Sequence, residues 1–198
     1  MKVKRARGYS KSTISRAALN LFVEKGIKAT TTREIAARAG ISEATIYKHY
    51  RSKEDLAREL FVKYTDMLRA KLLETIEGIK EPRARLSALI RSFFSFADAE
   101  PLAYSYIVAN HHAEFGKLPL GSVKPKDVFA AVISEGIASG DFIPLDANLA
   151  SAWVIGMVQK TIFFLKMGIA EIGYEDAADQ TVKASLRMLS ADTGPNKL

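Results

Sequence analysis

Residues 31–50, TTREIAARAGISEATIYKHY, leave this chain little freedom, because start, turn and restart signals for two short helices follow one another without a gap. Thr31 and Glu34 have the spacing of a capping box, in which hydroxyl and carboxylate satisfy each other's free amides and mark a helix start. Ile35, Ala36 and Ala39 give that helix one apolar side. Gly40 then interrupts it, at a point where a sharp turn between helices calls for positive φ. Ser42 is a good N-cap for the next helix, with Ile41 and Ile46 placed as a hydrophobic staple.

At ~100° per residue, Ile46 and Tyr50 define the buried side of the second helix. Ala44, Thr45, Tyr47, Lys48 and Arg51 then point outward, with Glu43 at the flank of that face. Small, hydroxyl-bearing and cationic side chains suit the floor of a major groove and the phosphates on its rims, and a carboxylate there can accept from cytosine N4. A capped hairpin alone fits any helical protein, so the context decides.

That context is basic. Residues 1–53 hold 13 Lys/Arg against 3 Asp/Glu, whereas residues 54–198 hold 16 against 19. A basic end carrying a helix-turn-helix pattern favours duplex DNA over lipid or RNA. Residues 1–9 include Lys2, Lys4, Arg5 and Arg7 with little to bury, and are expected to be a flexible arm that is either a solubilising tail or a follower of the minor groove. The absence of cysteine removes disulfides and cysteine-based zinc sites and fits a reducing, cytoplasmic setting.

The remaining periodicity is helical throughout. A helix from Ser10 or Ser12 to Glu24 carries Ile14, Ala17, Ala18, Leu21 and Phe22 on one stripe. Ser52 and Asp55 cap a long helix from about Lys53 to Glu77, whose free amides and Lys53 offer an anion site. Pro82 and Pro101 open two more helices, and another, with Val128, Phe129, Val132 and Ile133, stops at Gly140. Asp146 caps an apolar helix whose Gln159, Lys160 and Lys166 mark it as a buried helix and not a membrane span. The last runs from Glu175 to about Ser190, and residues 193–198 look disordered. These two terminal helices hold more apolar surface than one core needs, which suggests a homodimer through a four-helix bundle with Trp153, Gly156, Phe163, Val182, Leu186 and Leu189 at the interface.

The order of helix, TTREIAARAGIS, EATIYKHYRSKEDL and long connecting helix resembles the TetR/AcrR family of bacterial transcriptional repressors over residues 10–60. The resemblance implies that Thr32, Arg33, Glu43, Ala44, Thr45 and Lys48 approach bases or nearby backbone, while Tyr47, His49 and Lys53 hold phosphates. His49 is equally readable as a packed helix residue. With the capping residues Thr31 and Ser42, these form the candidate DNA-binding set. The expected fold is all-α: a helix-turn-helix domain at residues 10–55 and a helical effector-binding and dimerisation domain at residues 56–192.

Phe93, Phe94, Phe96, Tyr104, Tyr106, Asn110, His111 and Phe129 form the candidate effector pocket for an apolar or aromatic small molecule. No glycine-rich phosphate loop, strand pattern or nucleophile elbow points to an enzyme. No cofactor is expected, and no metal either, since the adjacent His111 and His112 diverge on a helix. The expectation is therefore a dimeric repressor released from a palindromic operator by its effector. The alternative is a constitutive structural DNA-binding protein without one.

Overall fold

The computed structural model describes residues 4–114, 116 and 123–190. Residues 1–3 of the basic arm and the 193–198 tail lie outside the described residues. All regular structure among the described residues is helical: α1 (Lys4–Lys25), α2 (Thr32–Ala39), α3 (Glu43–Tyr47), α4 (Lys53–Ile76), α5 (Pro82–Ala99), α6 (Pro101–Glu114), α7 (Pro125–Ser139), α8 (Ala147–Lys166) and α9 (Tyr174–Leu189). The first helix begins earlier than the Ser10 or Ser12 start expected from its apolar stripe. The basic segment from Lys4 onward is therefore helical and continuous with α1, not a separate arm.

The chain divides into two compact units, one of residues 1–65 and 100–120, the other of residues 66–99 and 121–198. This differs from a single cut near residue 55, because α6 belongs to the N-terminal unit. Tyr106 explains why: its ring stacks on Phe22 of α1 with centroids 6.0 Å apart, and its hydroxyl donates to the Ala57 carbonyl of α4 at 2.7 Å. The side chain is fully buried, and that burial pushes the phenol pKa upward. Burying such a ring stabilises by about 1.5–3 kcal/mol, and its satisfied hydroxyl avoids the cost of an orphaned donor. Ala103, Tyr104 and Ile107 of α6 are buried in the same unit, as are Ile14, Leu21 and Leu60.

In the second unit, Leu86, Leu89, Ile90 and Phe93 of α5 are buried, as are Val128, Phe129, Val132 and Ile133 of α7. Phe93 and Phe129 meet edge to face at 6.2 Å. Ion pairs Arg85–Glu135 and Arg91–Asp179 link α5 to α7 and α9. At Gly136 any Cβ would collide with the Phe142 ring, which lies directly against the α7 backbone.

The expectation of a buried α8 fails. Its mean hydropathy reaches 1.2 over an 18-residue window, yet 28% of that window is buried. Ala150, Val154, Val158 and Ile162 face the core at helical spacing, while Trp153, Phe163 and Phe164 are exposed on the other side.

Candidate nucleic-acid interface

Two side-chain-capped helices form the site. Glu34 N–H donates to Thr31 Oγ1 at 3.2 Å, and Thr31 N–H donates to Glu34 Oε2 at 2.8 Å, closing the capping box expected from the spacing. Lys25, at the end of α1, pairs with the same carboxylate at 2.5 Å. This Lys25 bond, then those from Thr31, hold the Glu34 carboxyl down to about 2. Arg38 adds a two-pronged pair with Glu24 at 2.8 and 3.0 Å, tying α2 to α1 again. Gly40, at φ 67°, ends α2 in the left-handed region, where a β-carbon would be strained. Ser42 Oγ accepts from Thr45 N–H at 3.3 Å and starts α3.

Ile46 and Tyr50 are the buried anchors of the second helix and its exit. Tyr50 Oη lies 3.3 Å from Ser15 Oγ, and the Lys11 ammonium sits 5.5 Å from the ring centroid. With these residues turned inward, Ala44, Tyr47 and Lys48 are exposed, as are Thr31, Arg33, Ser42 and Arg51. Thr32, Glu43, Thr45 and His49 are half-buried, and the His49 ring leans toward Tyr50 at 6.4 Å.

Lys53 is placed differently from a freely projecting phosphate ligand. Its side chain is only 16% exposed, and Nζ donates to the carbonyls of Thr30 at 2.7 Å and Lys28 at 3.4 Å. It clasps the loop leading into α2 from the first turn of α4, whose start is held by Asp55 N–H donating to Ser52 Oγ at 3.0 Å. A surface cavity of about 390 Å³ opens here among Lys28, Thr31, Thr32, Tyr47, Arg51 and Lys53. Lys28 is absent from the candidate set read from the sequence, and Arg51 is there only as an outward-facing residue. The signal for both was charge: each is a cation in a connection next to a helix start.

The eight candidate effector residues fall into two groups. Phe93, Phe94, Phe96 and Phe129 are buried in the second unit, with Phe94 also edge to face with Tyr174 at 6.5 Å. Tyr104, Tyr106, Asn110 and His111 belong to the first unit. There Tyr106 is core, and Asn110 Nδ2 donates to the Tyr106 carbonyl at 2.8 Å. The side chain of His112 lies outside the described residues. A cavity of about 310 Å³ beside Phe94 is rimmed by Asp98 and Glu175 as well as Arg91, which disfavours an anionic ligand at that point.

Of the six candidate dimer residues, Trp153, Gly156 and Phe163 are exposed and Leu186 is half-buried. Val182 and Leu189 are buried within the unit itself, at 6% and 0% exposure, which takes them off the outer face. Met157, Lys160, Phe164 and Ile172 replace them there, around a shallow hollow of about 440 Å³.

The description "Bacterial regulatory proteins, tetR family" matches residues 14–60, which span α1 to the first turns of α4. The chain is 31% identical over 151 residues to the HTH-type transcriptional repressor KstR2 of Rhodococcus jostii, covering 69% of this chain and 73% of that protein. It is 27% identical over 154 residues to the fatty acid metabolism regulator protein of Bacillus subtilis, covering 74% and 78% of the two. Among solved structures, the ketosteroid transcriptional regulator KstR2 of Mycobacterium tuberculosis superposes with a TM-score of 0.73 at 22% identity, covering 92% of this chain and 95% of that one. AibR, solved with isovaleryl coenzyme A and operator DNA, superposes at 0.71 with 21% identity over 88% and 97% of the two chains. At these identities the two structures speak for the fold.

Proposed function

Because the chain belongs to the TetR family of transcriptional regulators, we propose that it is a repressor that binds a palindromic operator as a homodimer and is released by a small apolar effector. The observation that carries this reading is the α3 face: both helix starts are closed by side chains, Ile46 is turned inward, and Tyr47, Lys48 and Arg51 are left outward. Base-edge readout belongs to Thr32, Arg33, Glu43, Ala44, Thr45 and Lys48. Phosphate contact belongs to the cations around the cavity at Lys28 and Arg51, and to the helix start at Thr31. The cytoplasm, where the DNA is, is its place of work.

Dimerisation through the exposed side of α8, with Trp153, Phe163 and Phe164, covers an apolar surface that is costly to leave in water. A twofold dimer then places two α3 helices in successive major grooves, about 34–36 Å apart or further.

The effector belongs to the second unit, at the aromatic cluster of Phe93, Phe94, Phe96 and Phe129. All four side chains are buried, with Phe93 edge to face with Phe129 and Phe94 with Tyr174, so a ligand must displace packed rings. By linkage it releases DNA only to the extent that it prefers the displaced state. AibR, solved with isovaleryl coenzyme A, and relatives named as a fatty acid metabolism regulator and a ketosteroid transcriptional regulator support an apolar acyl thioester whose charged end stays clear of the acidic rim at Asp98 and Glu175.

Occupancy across the source genome, followed by footprinting with and without a panel of acyl thioesters, tests this. The expected result is protection of a pseudo-palindrome that one class of thioester abolishes. Broad coverage without a shared sequence, unmoved by any ligand, would establish the structural DNA-binding alternative instead.

A further inference from the structure

Thr32, the first residue of α2, lies between two polar groups of α3. Its Oγ1 donates to Glu43 Oε2 at 3.0 Å and lies 3.3 Å from Tyr47 Oη. A threonine hydroxyl has one proton, and a carboxylate has none to give. With that proton directed at Glu43, the contact with Tyr47 can run one way only, from the phenol to Thr32. The tyrosine ring is 54% exposed on the outward face, and its oxygen is left with lone pairs alone.

We propose that this relay, Tyr47 to Thr32 to Glu43, makes Tyr47 an acceptor that reads an exocyclic amine on a base edge, cytosine N4 or adenine N6, and not a phosphate ligand. A phosphate oxygen is itself an acceptor and repels an oxygen whose proton is committed elsewhere, the more so beside the Glu43 carboxylate. An amine complements it in the major groove, where guanine and thymine present O6 and O4 acceptors in the corresponding places. Thr32 and Glu43 are then positioning residues: they direct the Tyr47 proton and so determine which bases the phenol accepts. The inference rests on the α3 face being the DNA-reading surface.

The test is selection from a random duplex library by the full chain and by Tyr47→Phe, Thr32→Val and Thr32→Ser variants, followed by salt titration on the preferred duplex. Tyr47→Phe and Thr32→Val should each lower the preference for cytosine or adenine at one position of each half-site by about 3–10-fold, the scale of one hydrogen bond. The salt slope should not change. Thr32→Ser, which keeps the hydroxyl, should keep the preference, and the Tyr47→Phe, Thr32→Val double variant should lose no more than Tyr47→Phe alone. A Tyr47→Phe variant that weakens all duplexes alike and lowers the salt slope by about 1 makes the phenol a phosphate contact and overturns the proposal. Unchanged preference in both variants also overturns it. If the unaltered chain enriches no sequence, the DNA-reading assignment itself has failed.

Discussion

The helices α3 and α8 both turn a broad face outward, and the two faces are built on opposite principles. Around α3 the exposed groups are a phenol, cations and hydroxyls, and their backbone is held at each end by side chains, through Thr31 with Glu34, Gly40 and Ser42. Along α8 the exposed groups are Trp153, Phe163 and Phe164, with Lys160 lying over both phenylalanine rings at 4.6 and 5.1 Å. Polar recognition depends on direction, so its helices need fixed ends; apolar association depends on area, so α8 needs only a continuous stripe. The first surface is sensitive to small displacements and the second to added charge.

Trp153→Asp probes the second principle and should have the largest effect. Because Trp153 is 45% exposed, the substitution should spare the fold of the single chain while opposing burial of this face against a partner. Sedimentation should show monomer, and operator affinity should fall by roughly 10²–10⁴-fold through loss of two-site binding. A dimer with full affinity would move the interface elsewhere. Tyr106→Phe tests the support of the reading unit: removing the hydroxyl leaves the buried Ala57 carbonyl without that donor, at a cost of about 1–3 kcal/mol by thermal or chemical unfolding.

Thr31→Ala should cost about 1 kcal/mol through the lost cap, with operator affinity falling even under conditions where the protein is fully folded. If affinity holds when the cap is gone, end-fixing is not what the α3 face depends on. Salt titration separates two lysines of the same unit: Lys28→Ala should lower the slope by about 1, as a phosphate-facing cation does. Lys53→Met should weaken binding with little change in slope, because its ammonium is engaged with the carbonyls of Thr30 and Lys28.

The smallest effect concerns acid. The Glu34 carboxyl is held at about 2, below its ordinary 4.5, chiefly by Lys25 and then by Thr31. A depressed carboxyl stabilises the folded state fully above its unfolded value and loses that contribution as pH falls toward 2. Glu34→Gln should therefore flatten the stability-versus-pH curve between about 4.5 and 2 and lower it above about 4.5, where the carboxylate's contribution is present in full.

Much of the reading unit was legible because its signals are local. Thr31, Glu34, Gly40 and Ser42 act within four residues of themselves, and their spacing alone foretells the bonds that form. Lys53 was legible as a cation at a helix start. Its attachment to Thr30, 23 residues earlier, was not, because that depends on how two elements meet. Tyr106 shows the same limit: an aromatic stripe with a polar tip reads equally as pocket or core, and the partner that decides, Ala57, is 49 residues away. For α8, composition revealed excess apolar surface but could not assign sides, which is why Val182 and Leu189 moved to the core while Phe164 came to the surface.

The chain contains a single tryptophan, and it stands on the outer side of α8 with nearly half its surface open. Indole emission shifts to the blue when water is removed from the ring, so in the proposed dimer Trp153 is a built-in fluorescent gauge of self-association. Dilution should move the emission maximum to the red as partners separate, without any dye. Since the chain has no cysteine, a thiol label introduced elsewhere would be unique, and Trp153 could report assembly while the label follows DNA in the same cuvette.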